Sequence, residues 1–569
     1  MSKYLDIDDD NFYSSINKIY SRYKIPKEKK TLRQICFPTK YEFQIPQKFL
    51  AEFINPKTPY KGIMVYHRIG AGKTCTAINI AEKFKHTKNI MVVLPASLKG
   101  NFRSELRSLC AGQNYLTDRE RVELKKLHPS EPAYREIIEI SDARIDKYYT
   151  IYSYNKFVDL LKQKKLSLRN TLLIIDEIQN MVSDVGSYYS YLYEAVHTAP
   201  STLRLVIMSA TPIFDKPAEI GLTLNLLLRD RQLPVGSEFY NTFVDTTFTQ
   251  RGAVYSVKNM DLFKQYAKGY VSFYAGAPKK VFPARELHIV KTKMSDFQER
   301  LYRRVEIRES GDDIRDYLAS DIPNSFFIGL RMISNFTYPN KKLGKAGYDS
   351  LEEKDLAPQN LAKFSPKMLK ILRKIRRAQG TLFVYSNFKE FGGIYIMVRI
   401  LEHYGYKNYQ KHGAGRKRFA VFSGDEDIKY KDEIKAVFNN KNNEDGSQIK
   451  IILGSSAIKE GISLLRIQEI HILEPYWNLS RIEQVIGRGI RYCSHKDVQR
   501  EKRLVKVYIY LAMHPKIKIS VDQKIMNMAI TKQLINAQFE KALKESAVDC
   551  TLFHNANVQP GEDDIICDT

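Results

Sequence analysis

Eight consecutive residues, His67-Arg68-Ile69-Gly70-Ala71-Gly72-Lys73-Thr74, bring together the groups needed to hold a polyphosphate. Glycines let successive backbone N–H groups curl around an anion, and the start of a helix adds a favourable field. Lys73 is placed to neutralise the β- and γ-phosphates, and the Thr74 hydroxyl to hold Mg²⁺. His67 stands where the usual pattern has a first glycine. A second group of residues completes the chemistry. The apolar run Leu172-Leu173-Ile174-Ile175 ends in Asp176-Glu177-Ile178-Gln179-Asn180. A carboxylate at such a strand tip binds Mg²⁺ directly or through water, and its neighbour Glu177 can orient and deprotonate an attacking water. Asp and Glu also favour helix starts, and that is the competing explanation for the pair.

A third apolar run, Arg204 to Met208, leads into Ser209-Ala210-Thr211-Pro212, whose hydroxyls can link a hydrolysis site to a second ligand. Far downstream lies Gln484-Val485-Ile486-Gly487-Arg488-Gly489-Ile490-Arg491. Arg488 and Arg491 are three apart, so on a helix they share a face. Fixed, delocalised charge of this kind suits a phosphoryl-transfer transition state, with Gln484 beside it.

These residues need strands to carry them. Gly62 to Tyr66 reads as a buried strand, and Ala77, Ile78, Ala81 and Phe84 repeat at helical spacing after the loop. Further strands are expected near Ile90, Tyr149, Leu172 and Arg204. A second set is expected at Leu382–Ser386, Phe419–Ser423, Ile449–Leu453, Glu469–Leu473 and Val505–Leu511. Their nearly continuous apolar character predicts α/β architecture with parallel sheets. The expected divisions are a charged N-terminal segment (1–40), a first ATPase domain (41–225), a mixed insertion (226–284), a second domain (285–515) and a helical tail with an acidic end (516–569). The stretch 307–362, with Gly311-Asp312-Asp313, is expected to be irregular.

The motifs occur in order, and over roughly residues 40–540 the chain resembles a superfamily-two helicase or translocase core. That resemblance implies two RecA-like domains in tandem, ATP with Mg²⁺ as cofactor, and Arg488 and Arg491 reaching the phosphates from the second domain. Gln47, in Phe43-Gln44-Ile45-Pro46-Gln47, matches the family's adenine-reading glutamine. Glu474-Pro475-Tyr476-Trp477-Asn478 and Met294-Ser295-Asp296-Phe297-Gln298-Glu299-Arg300-Leu301-Tyr302 are similar to chromatin-remodeller ATPases and to poxvirus nucleoside triphosphatase I. His67 is similar to the poxvirus pattern alone, where histidine occupies that loop position. Tyr385-Ser386-Asn387, Gly392-Gly393 and Asp445-Gly446-Ser447-Gln448 resemble the small subunit of the poxvirus early transcription factor. Ala547-Val548-Asp549-Cys550 resembles the tail of giant-virus relatives. Gln179 departs from these viral relatives, which carry histidine there. The resemblance also points to nucleic-acid contacts at Pro95, Ala96, Ser97, Ser153, Ser386, Asn387, Ser455 and Ser456, with Glu460 and Gly461. Each serine suits capping a helix equally well.

Composition fits a polyanion partner. Of 569 residues, 90 are Lys or Arg and 64 are Asp or Glu, a net charge of +26. The excess is spread along the chain rather than held in one run. A 43% hydrophobic content argues against disorder. The six cysteines show no zinc spacing, so reduced thiols are expected. The polar start and the lack of a long apolar run predict neither a signal peptide nor a membrane span. The expected setting is the host cytoplasm, in a viral factory, and the virion. The expected activity is Mg²⁺-dependent, nucleic-acid-stimulated ATP hydrolysis that drives movement on or remodelling of DNA in viral transcription. Viral RNA polymerase or a second transcription-factor subunit is the candidate protein partner. Two other readings stand beside it: an RNA helicase that separates strands, and a non-enzymatic assembly factor with a degenerate core.

Overall fold

Short apolar runs alternate with helical segments along most of the chain, and strands of that kind bury both faces only in a parallel sheet covered by helices. The computed structural model describes all residues except 1–3, 28, 69, 129–130, 183–186, 250–251, 310, 312–313, 315, 457–461, 559–560 and 562–563. It forms two compact units, Met1–Lys279 with Ile535–Thr569, and Lys280–Leu534.

In unit 1 the strands are β1 (Gly62–His67), β2 (Asn89–Leu94), β3 (Tyr149–Ser153), β4 (Thr171–Asp176), β5 (Arg204–Ser209), β6 (Val244–Thr249), β7 (Gly252–Val257) and β8 (Val271–Tyr274). Six of them form one sheet in the order β3-β2-β4-β5-β1-β8, all parallel. β6 and β7 pair as a separate antiparallel hairpin. The crossovers bring the C-terminal ends of β1, β4 and β5 side by side. Ligands of open parallel sheets gather at such an edge.

Three boundaries differ from the expected ones. Residues 226–284 are not a separate insertion, because β8 within them closes the unit 1 sheet against β1. The segment 1–40 also contributes described residues to the same core. Phe12, Tyr13, Ile16 and Tyr20 are buried on the helix Phe12–Ile19 and its end, packed with Phe49, Phe53 and Tyr60. The tail is also part of unit 1. The division at Leu534 falls inside the helix Val521–Glu545, and the residues beyond it return Val548, Leu552 and Phe553 to this core. Burial of aromatic faces decides both changes; Phe553 alone meets Phe49 and Tyr274 edge-on at 5.5 and 6.1 Å. The acidic end docks too, with Asp568 on Lys264 at 3.2 Å. Glu562 and Asp563 lie outside the described residues.

Unit 2 contains β9 (Ala284–Lys293), β10 (Leu382–Tyr385), β11 (Lys407–Asn408), β12 (Arg418–Phe422), β13 (Ile451–Gly454), β14 (Glu469–Ile472) and β15 (Leu504–Met513). Their order is β11-β12-β13-β10-β14-β15-β9, again all parallel. The stretch expected to be irregular holds the helices Ile328–Asn335, Gly344–Tyr348 and Pro358–Phe364 and, among its described residues, no strand. Asp312 and Asp313 lie outside the described residues. The cysteines depart from the reduced state expected: Cys75 is bonded to Cys110 and Cys550 to Cys567. Separations of 35 and 17 residues carry no local signature, and only the fold brings these thiols together. No helix among the described residues is long and apolar enough to cross a membrane.

Removing the Phe553 ring tests whether the tail belongs to unit 1. Phe553→Ala should cost about 3–5 kcal/mol, as for a buried Phe elsewhere. Hydrogen exchange should quicken at β1 and β8 amides and stay unchanged at β13 and β14. Equal effects in both units would show that the tail does not act on unit 1 specifically.

Candidate functional site

β1 delivers His67 and Arg68 to the loop, and the helix Lys73–Phe84 leaves it. Gly70 and Gly72 both adopt the left-handed backbone, with φ of 85° and 70°. A Cβ on Gly72 would also meet Gln47 Nε2 at 2.6 Å, so only glycine fits there. The Gly72 carbonyl accepts from Gln47 Nε2 (3.2 Å), from Thr76 N–H (3.0 Å) and from the Thr76 hydroxyl (3.2 Å). Its N–H side is thereby held in one orientation. Gln47 Oε1 accepts from Gln44 N–H at 2.8 Å. One amide hydrogen and one lone pair of Gln47 remain, the complement of the N7 and N6 edge of adenine. Lys73 and Thr74 occupy the first two helical positions and are partly exposed; Ile69 lies outside the described residues.

Beside this loop β4 ends in Asp176. Its carboxyl is pushed up to about 7 by burial and by Glu177, against the pull of Lys73. A buried acid flanked by another acid, with a lysine in range, is a donor set suited to a hard divalent cation and a phosphate chain. Asp176 and Thr74 would hold Mg²⁺. Glu177 has a left-handed backbone, φ 52°, uncommon for a residue with a side chain. Two contacts hold that turn. Glu177 N–H donates to Asp176 Oδ1 at 3.0 Å, and the Tyr154 hydroxyl reaches the carbonyls of Asp176 (2.5 Å) and Glu177 (3.0 Å). Tyr154 was not singled out from the sequence.

From Glu177 a line of hydrogen bonds runs to β5. Gln179 Nε2 donates to Glu177 Oε2 at 2.5 Å, and Gln179 Oε1 accepts from the Ser209 hydroxyl at 2.8 Å. Ser209 Oγ accepts from Thr211 N–H at 2.9 Å. Gln179 therefore uses both ends of its amide. Ala210 is partly exposed between them.

His67 is buried and pushed down to about 3 by burial and by Lys73, so its imidazole is neutral. Its Nε2 lies 3.0 Å from Ser272 Oγ on β8, and Ser272 donates to Asp549 Oδ2. Asp549 Oδ1 accepts from Phe273 N–H at 2.9 Å. Burial pushes Asp549 up to about 7 against these hydrogen bonds.

In unit 2 the arginines are not on a helix face as expected. The helix Leu479–Ile486 stops at Gly487; Arg488 lies in the turn beyond it and Arg491 in the irregular chain that follows. Gly489 fits there because a Cβ would strike Ile467 at 2.6 Å. Arg491 Nε donates to Gly487 O at 3.0 Å and its Nη1 to Ser463 Oγ. Gln484 remains helical and half-buried.

The loop serines divide. Ser386 and Ser455 are buried, so they do not offer surface hydroxyls to a phosphate. Ser386 donates to Glu474 at 3.0 Å, and Asn387 Nδ2 donates to the same carboxylate at 3.2 Å. Ser153 caps the helix Tyr154–Lys162 and stays partly exposed. Ser97 is exposed, Asn387 and Ser456 are partly exposed, and Pro95 is buried. Glu460 and Gly461 lie outside the described residues. Trp477 is packed inside unit 2, stacked on Tyr476 at 4.0 Å with Arg331 4.9 Å from its ring.

Residues 48–220 match the DEAD/DEAH box helicase family, and residues 366–493 match the helicase conserved C-terminal domain. A protein of Acanthamoeba polyphaga mimivirus, provisionally named an ATP-dependent RNA helicase, is 63% identical over 99% of both chains. A termination factor NPH-I homolog of African swine fever virus is 28% identical, over 86% of this chain and 76% of its own. Among solved structures, the Pyrococcus furiosus Hef helicase domain aligns at 14% identity with a TM-score of 0.41, over 82% of this chain and 94% of that one.

The Tyr154 hydroxyl can be tested without disturbing its ring. Tyr154→Phe should lower ATP turnover about tenfold, the value of one to two lost hydrogen bonds at about 1 kcal/mol each. Steady-state assays at saturating ATP read this directly. Unchanged turnover would show that the Glu177 turn holds without the hydroxyl.

Proposed function

We propose that this chain, which belongs to the DEAD/DEAH box helicases, spends ATP to move along or remodel duplex DNA during viral transcription. The hydrogen-bonded line from Glu177 through Gln179 and Ser209 to Thr211 supports this most directly. It joins the residue that would activate water to the end of a neighbouring strand, so a change in one alters the other. In this reading Gly70 to Gly72 offer backbone N–H groups to the phosphates and Lys73 neutralises them. Bound Mg²⁺, held by Thr74 and Asp176, supplies charge stabilisation at the phosphates. Glu177 takes the proton of the attacking water, and Arg488 and Arg491 stabilise the charge that develops. An intact Lys73, Glu177 and arginine pair does not suit a degenerate, purely structural core.

The net charge of +26 favours a polyanionic partner, the name of the termination-factor relative favours a role in transcription, and the resemblance of residues 474–478 to chromatin-remodeller ATPases favours duplex DNA. Separation of RNA strands is the second reading, favoured by the name of the mimivirus relative. A viral RNA polymerase or second factor as partner, and a place in the host cytoplasm and virion, go with the transcription role.

Parallel ATPase assays with duplex DNA, single-stranded DNA and RNA decide between the readings. Duplex DNA is expected to stimulate most; stimulation by RNA alone would reject the DNA reading. Affinity should fall steeply with salt and vary little with sequence, because contacts from Ser97, Ser153, Asn387 and Ser456 would go to the backbone. Lys73→Ala should abolish turnover, while Glu177→Gln should bind ATP and fail to hydrolyse it. Arg488→Ala or Arg491→Ala should lower turnover by about 10³–10⁵ with a smaller effect on ATP affinity. If both arginine variants only weaken binding, neither acts in the chemical step.

A further inference from the structure

Two features of the sequence, a histidine in place of the first loop glycine and an Ala-Val-Asp-Cys segment in the tail, have no role in the hydrolysis scheme. The fold brings them together. β8 is the last strand of its sheet, and its outer edge is met not by another strand but by the tail. Val548 N–H donates to Val271 O at 2.8 Å, Asp549 Oδ1 takes Phe273 N–H, Asn557 Nδ2 donates to Phe273 O at 3.0 Å, and Asn557 Oδ1 accepts Ala275 N–H at 2.8 Å. Asp549 does one thing more: its second oxygen reaches through Ser272 to His67.

We propose that Asp549 and Ser272 are positioning residues of the hydrolysis site, which through this buried chain set the orientation and tautomer of His67 at the mouth of the phosphate loop. The inference rests on the family's ATP hydrolysis. All three side chains are buried, with none more than 1% exposed. Ser272 has a single proton. It gives that proton to Asp549, so its oxygen is the acceptor for His67 Nε2–H. A carboxylate at 549 therefore selects the neutral imidazole with its proton on Nε2 and a lone pair on Nδ1. His67 Nδ1 has no hydrogen-bond partner among the described residues, so Nε2 is the ring's one such tether. An edge contact with Tyr274 at 5.8 Å is the other restraint on the ring. An amide at 549 reverses the chain. Its oxygen stays with Phe273 N–H, its NH₂ faces Ser272, Ser272 donates to His67 Nε2, and the imidazole proton moves to Nδ1.

The experiment uses the full chain with ¹⁵N-labelled histidine. Long-range ¹H–¹⁵N spectra report each imidazole tautomer, and the His67 signals are those that vanish in His67→Gln. At a pH well above 7, where Asp549 is ionised, the unmodified chain should show His67 protonated on Nε2, and Asp549→Asn should show it on Nδ1. Calorimetric ATP affinity and KM should worsen on the order of tenfold in Asp549→Asn, the lower end of the loss seen when a partner that orients a metal-binding imidazole is removed. Turnover at saturating ATP should fall less. Phe553→Ala loosens the tail without breaking the chain and should keep the original tautomer. If Asp549→Asn does not fold, Ser272→Ala decides, because it spares the Asp549–Phe273 contact; it should show the same loss of affinity. An unchanged tautomer with unchanged affinity in Asp549→Asn, or unchanged affinity in Ser272→Ala, overturns the proposal. A chain that hydrolyses no ATP would reject the hydrolysis assignment while leaving the tautomer result readable.

Discussion

Buried strands cannot leave backbone N–H and C=O groups unpaired, and in unit 1 that demand organises more than the sheet. β1 leads into the glycine loop and lies inside the sheet, with a strand on each side. β5 supplies one and β8 the other. β8 in turn has an outer edge, and the tail answers it with a backbone N–H and with the side chains of Asp549 and Asn557. Side-chain groups can close an edge without extending it, which ends the sheet at six strands. The position of the loop thus traces back, bond by bond, to residues almost five hundred positions further along the chain.

Much of this architecture was legible because its signals are local. β1, the glycine loop and the helix Lys73–Phe84 are contiguous, and apolar runs ending in Asp176 or Ser209 announce strand tips. Signals that depend on distant partners were not legible. β8 is four residues long and reads as part of a mixed insertion until β1 is set beside it. Tyr154 looks like a core aromatic, and its hydroxyl becomes informative only when β4 places two carbonyls within reach. Arg488 and Arg491 were misplaced onto a helix because spacing of three satisfies a helix and a turn alike. Gly487 and Gly489 were the evidence for the turn. Ser386 shows the opposite failure: a family motif located the loop correctly, but the side chain faces inward onto Glu474.

Unit 2 applies the same rule to charge. Glu474 is buried and burial pushes its carboxyl up, while hydrogen bonds from Asn335 and Asn387 and the charges of Lys367 and Arg331 pull it back. Lys367 is itself buried and pairs with Asp522 at 2.8 Å, which also accepts Ala512 N–H at 2.7 Å. The network ties the loop after β10, the end of β14 and the end of β15 to one carboxylate and one ion pair. Removing either member of a buried pair strands the other, at a cost of about 3–5 kcal/mol. These loops are therefore anchored from beneath, which leaves their partly exposed neighbours to meet a ligand from a fixed base.

The discontinuity of unit 1 has a consequence for how the chain is made. Ribosomes release the polypeptide from its N-terminal side at about 5–20 residues per second. The phosphate loop, β4 and β5 all emerge before unit 2, and residues 535–569 emerge after it. For an interval on the order of tens of seconds the nascent chain has the glycine loop but neither Asp549 nor a cover for β8. Its open strand edge is then a template for pairing with other chains. Synthesis thus separates the making of the unit 1 sheet from the covering of its β8 edge, because unit 2 emerges between the two parts.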